Sequence, residues 1–260
     1  MCRELTEYGL GQVRIDAGCQ LSYPDEKILT GTAESLQNAK TGDLAAVLIR
    51  REGDLPVVTH GLEDDRFERD RVPMTKSEVR SISLSKLELR RDSVVWDVGA
   101  GSGSVSVEAA LQVPEGTVYA VEKKPEAVEL ICRNRKKFGA ANLQVVEGAA
   151  PEALEDLPVP THVFIGGTSG SLKEILKRVL MKNPGARIVI NAIALETVSE
   201  ALACIRQLPL EGTDIVSVSV GKAKSVGSYH MMMGQNPVYV ISCSGSGNMS
   251  EAKDSREAEE

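Results

Sequence analysis

The chain has 260 residues, of which 42% are hydrophobic and only 3% aromatic, and its formal net charge is −7. This length allows one ordinary domain and something smaller, with a core built mainly from aliphatic side chains. The acidic balance and the lack of a basic stripe argue against general nucleic-acid binding. No apolar run is long enough to cross a membrane, and no secretory signal is visible at the N-terminus.

The five cysteines are scattered along the chain. They are Cys2, Cys19, Cys132, Cys204 and Cys243, and no two of them form a C-x-x-C pair. This spacing is not typical of a disulfide framework or a zinc site. Reduced thiols, no bound metal and a cytoplasmic location are therefore predicted.

Residues 1–53 do not look like a complete domain. A strand is predicted at 44–49 and a short helix at 32–38, which is too little material to bury an independent core. Residues 54–72 follow with a dense mixture of charges. That composition predicts a solvated linker in which Phe67 is a hydrophobic anchor.

A helix is predicted to begin near Pro73. Thr75 and Glu78 have the spacing of a capping box, with the threonine hydroxyl at the N-cap. The other interpretation of Thr75 is functional, because the start of this helix could lie over a ligand and offer it a hydroxyl and backbone N–H groups. The sequence leaves both interpretations open.

The stretch 94–103 carries the clearest indication of a ligand. Its first half is an apolar, β-branched run that predicts a buried strand, its second half is a glycine-rich turn, and residues 105–111 predict a helix. Glycines in such a unit let a nucleotide-like ligand approach the backbone closely. The pattern is D-x-G-x-G-x-G, and Ser104 stands where the dinucleotide fingerprint has its third glycine.

Two acids distinguish this turn from a dinucleotide site. Asp97 ends the strand and is predicted to point at the turn, where it can meet an ammonium group. S-adenosylmethionine has such an amino-acid end and no pyrophosphate for a helix N-terminus to hold. Glu122 ends the next apolar run about twenty residues beyond the glycines, where a carboxylate holds a ribose diol. Together these residues predict S-adenosylmethionine as the cofactor.

Strands and helices alternate along residues 94–207, which predicts a doubly wound, mostly parallel sheet. Beyond the turn, strands are predicted at 117–122, 143–147, 161–166 and 187–191, and helices at 125–138, 171–180 and 196–207. The last two strands, at 214–220 and 237–242, have no helical pattern between them. They are predicted to pair antiparallel at the sheet edge. Residues 244–260 are small, polar and charged, and disorder is predicted there.

Seven motifs between residues 73 and 239 share one resemblance. They are P-M-T-K-S-E-V-R (73–80), S-K-L (85–87), V-V-W-D-V-G-A-G-S-G-S-V-S-V-E-A-A (94–110), V-Y-A-V-E-K-K-P-E-A (118–127), F-I-G-G (164–167), N-A-I-A-L-E-T (191–197) and N-P-V-Y (236–239). Together they resemble the decarboxylating C(15)-methyltransferases of cobalamin (corrin) biosynthesis. The resemblance implies a class I, Rossmann-like methyltransferase domain of seven strands at 73–243. It also implies a precorrin or cobalt-precorrin substrate, which is methylated at C(15) and loses carbon dioxide from the acetate at C(12), and a homo-oligomer, a tetramer.

Two motifs near the N-terminus resemble a different enzyme. L-S-Y-P-D-E-K-I-L-T-G-T-A-E-S-L (21–36) and G-D-L-A-A-V-L-I (42–49) are similar to the end of the C(5)-methyltransferase of the tetrapyrrole methylase family. In some organisms the two enzymes are fused, with this one N-terminal. The resemblance implies that residues 1–53 are an incomplete α/β segment, a remnant of a partner domain, and that the chain has one competent methyltransferase site.

The resemblance also implies cofactor contacts. They are Thr75, Gly99, Ala100, Gly101, Ser102, Gly103 and Glu122, to which the residue pattern adds Asp97. After the third strand the family shows G-D-A-P-E, but here an alanine replaces the aspartate in 148–152. The side-chain contact to the adenine amino group is therefore expected to be missing, leaving the backbone groups of Ala149 and Ala150.

Candidate substrate residues follow the later strands. They are Gly166, Gly167, Asn191, Glu196, Lys222, Lys224 and Tyr229. The two glycines leave room for a large planar ring, and the lysines and tyrosine can meet the substrate's carboxylates. Strand-end hydrogen bonding or helix capping explains Asn191 and Glu196 equally well, and a solvated hairpin explains the last three. No catalytic acid is identified.

Two other functions stay open at this stage. The same fold serves many acceptors, so one is a methyltransferase that acts on RNA, although neither a basic face nor an appended RNA module is visible. The other is a non-catalytic remnant that only binds the cofactor, which the alanine at position 149 keeps open.

Overall fold

The computed structural model describes residues 1–42, 44–51 and 58–247. The chain divides into two compact units. Unit 1 comprises Met1–Val57 together with Arg135–Ala141, and unit 2 comprises Val58–Asn134 together with Asn142–Glu260. The predicted disorder of the tail falls mostly on residues 248–260, which lie outside the described part of the chain.

Unit 1 contains a short helix and a three-stranded antiparallel sheet. The elements are α1 (Cys2–Glu7), β1 (Arg14–Cys19), β2 (Lys27–Thr32) and β3 (Ala45–Arg50), with strand order β2-β1-β3. Its small core is formed by Val13, Ile15 and Ala33. The strand predicted at 44–49 is therefore present as β3.

The helix predicted at 32–38 is wrong. β2 runs up to Thr32, and the residues after it form hydrogen-bonded turns. The Ser35 amide donates to the Thr32 hydroxyl at 3.1 Å, and the Thr32 amide donates to the Ser35 hydroxyl at 2.9 Å. Such side-chain bonds compete with helical bonds for the backbone.

Unit 2 is built on a seven-stranded sheet. Its elements are α2 (Ser77–Leu87), β4 (Val94–Val98), α3 (Ser104–Gln112), β5 (Thr117–Glu122), α4 (Pro125–Phe138), β6 (Leu143–Glu147), β7 (His162–Ile165), α5 (Leu172–Lys182), β8 (Arg187–Ala192), α6 (Leu195–Gln207), β9 (Leu210–Val218), β10 (Gly221–Val226), β11 (Tyr229–Gly234) and β12 (Val238–Gly245). The order is β6-β5-β4-β7-β8-β12-β9, and β10 and β11 form a separate two-stranded sheet. The last residues of α4 are counted in unit 1.

Pairing within this sheet is mostly parallel. β4 to β8 pair in parallel, whereas β12 is antiparallel to both β8 and β9. The predicted doubly wound sheet with a closing antiparallel pair is confirmed. β12 extends to Gly245, so the first two residues of the predicted tail belong to a strand. The insertion of β12 between β8 and β9 leaves β9 at the edge.

The main core lies between the sheet and its helices. Trp96 of β4 is fully buried, and its indole N–H donates to the Pro158 carbonyl at 3.1 Å. α5 shows the helical period clearly, since it buries Leu172, Ile175, Leu176, Val179 and Leu180 on one stripe. Aliphatic residues thus fill the core, as the low aromatic content predicts.

The capping box predicted for Thr75 and Glu78 is wrong. α2 begins at Ser77, and its N-cap residue Lys76 makes no capping bond from its side chain. The cap comes instead from Asp64, whose carboxylate accepts the Ser77 amide at 2.9 Å. A residue thirteen positions earlier in the chain satisfies this helix end, so the local pattern could not reveal it.

The segment predicted to be a solvated linker is partly built into unit 2. Leu62 and Phe67 are each 3% exposed, and residues 64–66 form a 3-10 turn. The charged residues around them lie mostly at the surface. The two apolar side chains therefore fasten this segment to the domain, and Phe67 is one of the anchors.

Candidate functional site

A cavity of about 890 Å³ lies at the carboxyl ends of β4, β5, β6, β7 and β8. β4 is the strand from which the chain order runs outward in both directions, and open α/β sheets bind their ligands at such a point. The predicted site residues that line the cavity are Thr75, Gly99, Ala100, Gly101, Glu122, Ala149, Ala150, Gly166, Gly167 and Asn191. Those that do not line it are Asp97, Ser102, Gly103, Glu196, Lys222, Lys224 and Tyr229.

The glycine turn is pressed between two neighbouring segments. Gly99 has φ +72°, and a Cβ on it would lie 2.6 Å from the Gly167 carbonyl oxygen. Gly101 has φ +56°, and a Cβ there would lie 2.8 Å from the carbonyl oxygen of Pro73. Both positions need a residue without a side chain, because of the left-handed backbone and because of the space. The bare backbone of the turn forms part of the cavity wall.

Glu122 at the end of β5 is held in place by backbone amides. One carboxylate oxygen accepts the Gly101 N–H at 2.9 Å, and the other accepts the amides of Lys123 and Lys124 at 2.9 and 3.1 Å. The side chain is only 9% exposed and lines the cavity. These bonds fix the carboxylate beside the glycine turn, where it can accept further hydrogen bonds from a ligand.

Asp97 lies behind the turn and not in the cavity. Side chains alternate across a strand, and the next residue, Val98, lines the cavity. The Asp97 carboxylate accepts a hydrogen bond from the Ser106 hydroxyl of α3, and its Oδ1 has no partner among residues 1–42, 44–51 and 58–247. Burial, together with the nearby charge of Glu122, raises the pKa of Asp97 to about 7 although the Ser106 hydrogen bond opposes this. The expected direct contact with a ligand ammonium is not supported by this geometry.

Residues 61–76, here called the strap, cross the glycine turn. The Ser102 amide donates to the Pro73 carbonyl at 3.3 Å, and the last five strap residues line the cavity. Asn134 of α4 joins the strap to the turn as well, since its amide group exchanges hydrogen bonds with the Glu68 backbone and donates to the Ser102 carbonyl at 3.0 Å. The strap thus forms one wall of the cavity.

A buried ion pair lies beneath the strap. Arg80 of α2 and Glu108 of α3 are both fully buried and bonded to each other. The guanidinium also donates to the carbonyls of Leu62 and Thr75. Glu108 accepts the amides of Gly61 and Leu62 at 2.7 and 2.9 Å. This pair was not predicted from the sequence, although Glu108 is a single acid in the otherwise apolar and small run of α3 and was a signal for it.

Lys123 and Ser169 approach each other at the cavity. The lysine ammonium, at the end of β5, donates to the Ser169 hydroxyl at 2.9 Å, and both residues line the cavity. Ser169 has φ +50° and belongs to the loop after β7 that begins with Gly166 and Gly167. This loop and the end of β5 therefore face each other across the site.

The candidate substrate residues have different surroundings. Asn191 lines the cavity from β8, and its side-chain amide bonds to the Ser83 hydroxyl of α2 at 2.9 Å. Glu196 is exposed in the first turn of α6. Lys222 on β10 forms an ion pair with Glu78 at 2.9 Å. The remaining two, Lys224 and Tyr229, are exposed on the β10–β11 hairpin.

The sequence of this domain matches that of a known family. The model of the precorrin methyltransferase domain family matches residues 65–244, which include every residue that lines the cavity. This chain belongs to that family. The match begins within the strap and ends in β12, so the family domain contains the seven-stranded sheet except for Gly245, the last residue of β12.

The names of three proteins similar to this domain state the reactions of those proteins. A protein of Pyrobaculum calidifontis named probable cobalt-precorrin-6B C(15)-methyltransferase (decarboxylating) is 44% identical over 189 residues, which cover 72% of this chain and 96% of that protein. The cobalt-precorrin-6B C(15)-methyltransferase (decarboxylating) of Salmonella typhimurium is 39% identical over 184 residues, covering 70% and 95%. The crystal structure of precorrin-6y C5,15-methyltransferase from Geobacter metallireducens is 41% identical, covers 72% of this chain and 98% of that one, and gives a TM-score of 0.68.

The precorrin methyltransferase domain described here thus has the predicted class I methyltransferase fold. No helix in the described part of the chain is long and apolar enough to cross a membrane. The motif resemblance noted from the sequence alone is confirmed by the family match.

Proposed function

We propose that this chain is an S-adenosylmethionine-dependent methyltransferase that methylates C(15) of a precorrin or cobalt-precorrin and removes carbon dioxide from its C(12) acetate. The single observation that carries the proposal is the cavity at the carboxyl ends of β4 to β8, inside the precorrin methyltransferase domain. The names of relatives about 40% identical to this chain support the reaction and the substrate class.

The residues at one end of the cavity fit the proposed cofactor. Gly99, Ala100 and Gly101 line the cavity, so a ligand can lie against the backbone of the turn, and Glu122 presents a fixed carboxylate suited to a ribose diol. Ala149 and Ala150 leave space beyond β6 for a planar base. Thr75 lines the same cavity from the strap and is proposed to contact the carboxylate end of the cofactor.

Three other residues that were predicted to bind the cofactor do not line the cavity. Ser102 and Gly103 are buried at the start of α3, and Asp97 is buried below the turn. We propose that these three support the shape of the turn. The Asp97–Ser106 hydrogen bond fixes the end of β4 to α3, which keeps the turn in position.

The residues at the other end leave room for a large ring. Gly166 and Gly167 follow β7, and Asn191 at the end of β8 presents an amide held by Ser83. Gln235 and Asn236 add two more neutral polar groups from the segment before β12. We propose that the macrocycle lies over the two glycines, with these amides as partners for its polar edge.

A substrate with many carboxylates also needs positive charge near the entrance. Lys76, Lys123 and Lys124 line the cavity, and Lys222 reaches the start of α2 through Glu78. Lys224, Tyr229 and Glu196 do not line the cavity, and they stay proposals as contacts to the periphery of the ring. The three lysines that line the cavity supply a locally basic rim in an acidic protein.

Methyl transfer to this substrate needs little help from an acid or a base. S-adenosylmethionine supplies a methyl group on a positively charged sulfur. C(15) of a reduced tetrapyrrole is an electron-rich, enamine-like carbon, so the protein's task is to hold the ring in line with that methyl group and to exclude water. The strap on one side and the loop after β7 on the other are the walls that do so.

The assembly and the N-terminal segment are further proposals. We propose that residues 1–53 correspond to the end of a C(5)-methyltransferase, of which the three-stranded sheet of unit 1 is a part, and that residues 54–72 link it to the methyltransferase domain. Exposed apolar side chains on the β10–β11 hairpin, Tyr229 and the methionines 231–233 among them, support a homo-oligomer. The cytoplasm stays our prediction for the compartment.

A single-turnover assay tests the reaction. The protein is mixed with S-adenosylmethionine and either the cobalt-free or the cobalt-bearing tetrapyrrole, and the products are analysed by mass spectrometry. A product that has gained one methyl group and lost carbon dioxide is expected. Cofactor binding without product, or methyl transfer only to RNA, would overturn the proposal.

A further inference from the structure

The strap has no regular structure along most of its length, and yet it forms a wall of the cofactor end of the cavity. An extended segment of this kind is ordered only if its backbone groups find partners. Asn134 and Ser102 supply some of these partners, but two buried side chains, those of Arg80 and Glu108, contact the strap at its beginning, middle and end.

At the beginning of the strap, both members of the ion pair form hydrogen bonds with the backbone. Glu108 accepts the Gly61 and Leu62 amides, and Arg80 donates to the Leu62 carbonyl. In the middle, the guanidinium lies over the Phe67 ring at 4.7 Å from its centroid. At the end, Arg80 donates to the Thr75 carbonyl.

The segment between these anchor points touches the glycine turn. The Pro73 carbonyl accepts the Ser102 amide, and the same carbonyl leaves no room for a side chain on Gly101. The neighbouring Thr75 lines the cavity. A shift of the strap therefore moves both the wall of the cavity and the partner of the turn.

We infer that the buried Arg80–Glu108 pair is a positioning device for the cofactor site: it holds the strap over the glycine turn before the cofactor arrives. This inference rests on the proposed function of the cavity. A buried ion pair is a poor source of net stability, because two charges must be taken out of water. Pre-ordering of a binding wall reduces the entropy lost on binding, and it is in this way that the pair contributes to cofactor affinity.

The test separates positioning from simple folding stability. In the double variant Arg80→Met with Glu108→Met, neither charge of the pair is left unpaired, so we expect the domain to keep its fold. The strap loses the bonds that the pair supplies, while its bonds to Asn134 and to the Ser102 amide stay. The matched control is Arg91→Met with Glu115→Met, which removes an ion pair of 2.8 Å whose side chains are 71% and 61% exposed. Both proteins are compared with the parent by thermal melting, calorimetry and hydrogen exchange.

For the buried double variant, we expect roughly tenfold weaker binding of S-adenosylhomocysteine and faster amide exchange in 61–76, with little change in the exchange of β4 to β8. The KM for S-adenosylmethionine rises, whereas kcat at saturation stays near that of the parent. The control changes none of these. Parental affinity and parental exchange of the strap in the buried double variant would overturn the inference.

A second variant covers the case in which the double variant does not fold. Arg80→Lys keeps the charge opposite Glu108, but the lysine ammonium cannot reach the Leu62 and Thr75 carbonyls at once. We expect the same changes in affinity and in amide exchange, but smaller ones. Exchange of the strap is measured without ligand. If the parent protein binds no S-adenosylhomocysteine, the proposed function is contradicted. The exchange data still decide whether Arg80 and Glu108 anchor the strap, because they need no ligand.

Discussion

The carboxylate of Glu122 and the amide of Gly101 are joined by a hydrogen bond of 2.9 Å. One residue ends β5 and the other lies in the turn after β4, so this bond ties together two strand ends that line the cavity, in the half that we propose for the cofactor. The turn and the acid therefore act as one unit, and a change in either should disturb the other.

Glu122→Gln tests the acid of this unit. The amide keeps the shape of the side chain but loses the charge, so both the proposed ribose contact and the bonds to the turn should weaken. We expect S-adenosylhomocysteine to bind with an affinity lower by about 2 kcal/mol, measured by calorimetry. The control is Glu147→Gln, since Glu147 lies opposite Glu122 in the register of β6 but is exposed and away from the cavity. Unchanged affinity in Glu122→Gln would show that the pocket is misplaced.

Gly101→Ala tests the close approach of strap and turn. The new Cβ would lie 2.8 Å from the Pro73 carbonyl oxygen at φ +56°. Gly212→Ala is the matched control, because Gly212 has φ +60° with nothing within 4 Å of its Cβ position. Both variants should lose roughly 1 kcal/mol of unfolding free energy through the left-handed backbone. Only Gly101→Ala should also lose cofactor binding, and equal binding losses in both variants would contradict the expected crowding.

The buried carboxyl of Asp97 should make stability depend on pH. Its pKa of about 7 in the folded protein lies above the ordinary value of 3.8. Between these values the unfolded chain has released this proton while the folded protein keeps it, so the free energy of unfolding falls as pH rises. The slope from this group is at most roughly 1.4 kcal/mol for each pH unit and vanishes above its folded pKa.

Urea denaturation at several pH values between 5 and 8 measures this slope. In Asp97→Asn the contribution is absent, so its stability should decline less between pH 5 and 7 than that of the parent. Asp156→Asn, which removes an exposed acid, should follow the parent. A variant Asp97→Asn with the slope of the parent would mean that this carboxyl is ionised in the folded protein across the whole range.

Ala149→Asp tests the departure from the family pattern. The new carboxylate stands beyond β6, where it can accept a hydrogen bond from the adenine amino group, and S-adenosylhomocysteine should bind about five to ten times more tightly. Ala194→Asp adds the same charge to the same cavity from the start of α6. If calorimetry shows the same gain for both variants, a general effect of the added negative charge explains it and the adenine contact is not restored.

Locally encoded elements could be predicted from the sequence. α4 begins at Pro125 and ends at Phe138 as predicted, because proline starts a helix at N1 and Gly139 stops it. β6 has its predicted bounds, 143–147. The glycine turn and Glu122 could also be identified, since chain spacing within a β-α-β unit fixes where two neighbouring strand ends lie.

Features that depend on distant residues could not be predicted. The helix cap that Asp64 provides for Ser77, and the contacts of Arg80 and Glu108 with the strap, join residues that no local pattern connects. The hairpin of β10 and β11 lacks the apolar alternation of a buried strand, because both strands are exposed. Strand alternation also places the Asp97 side chain outside the cavity lining, which its place in the motif could not reveal.

The sequence by itself determined the alternation of strands and helices in residues 94–207, the position of the glycine turn and the family resemblance, because each of these depends on motifs of residues close together in the chain. Only the tertiary structure decided which side chains reach the cavity and which residues hold its walls. Those outcomes depend on how segments far apart in the chain pack across one sheet. Buried charges and unpaired backbone groups must find partners there, and these partners are residues that only the folded chain brings close.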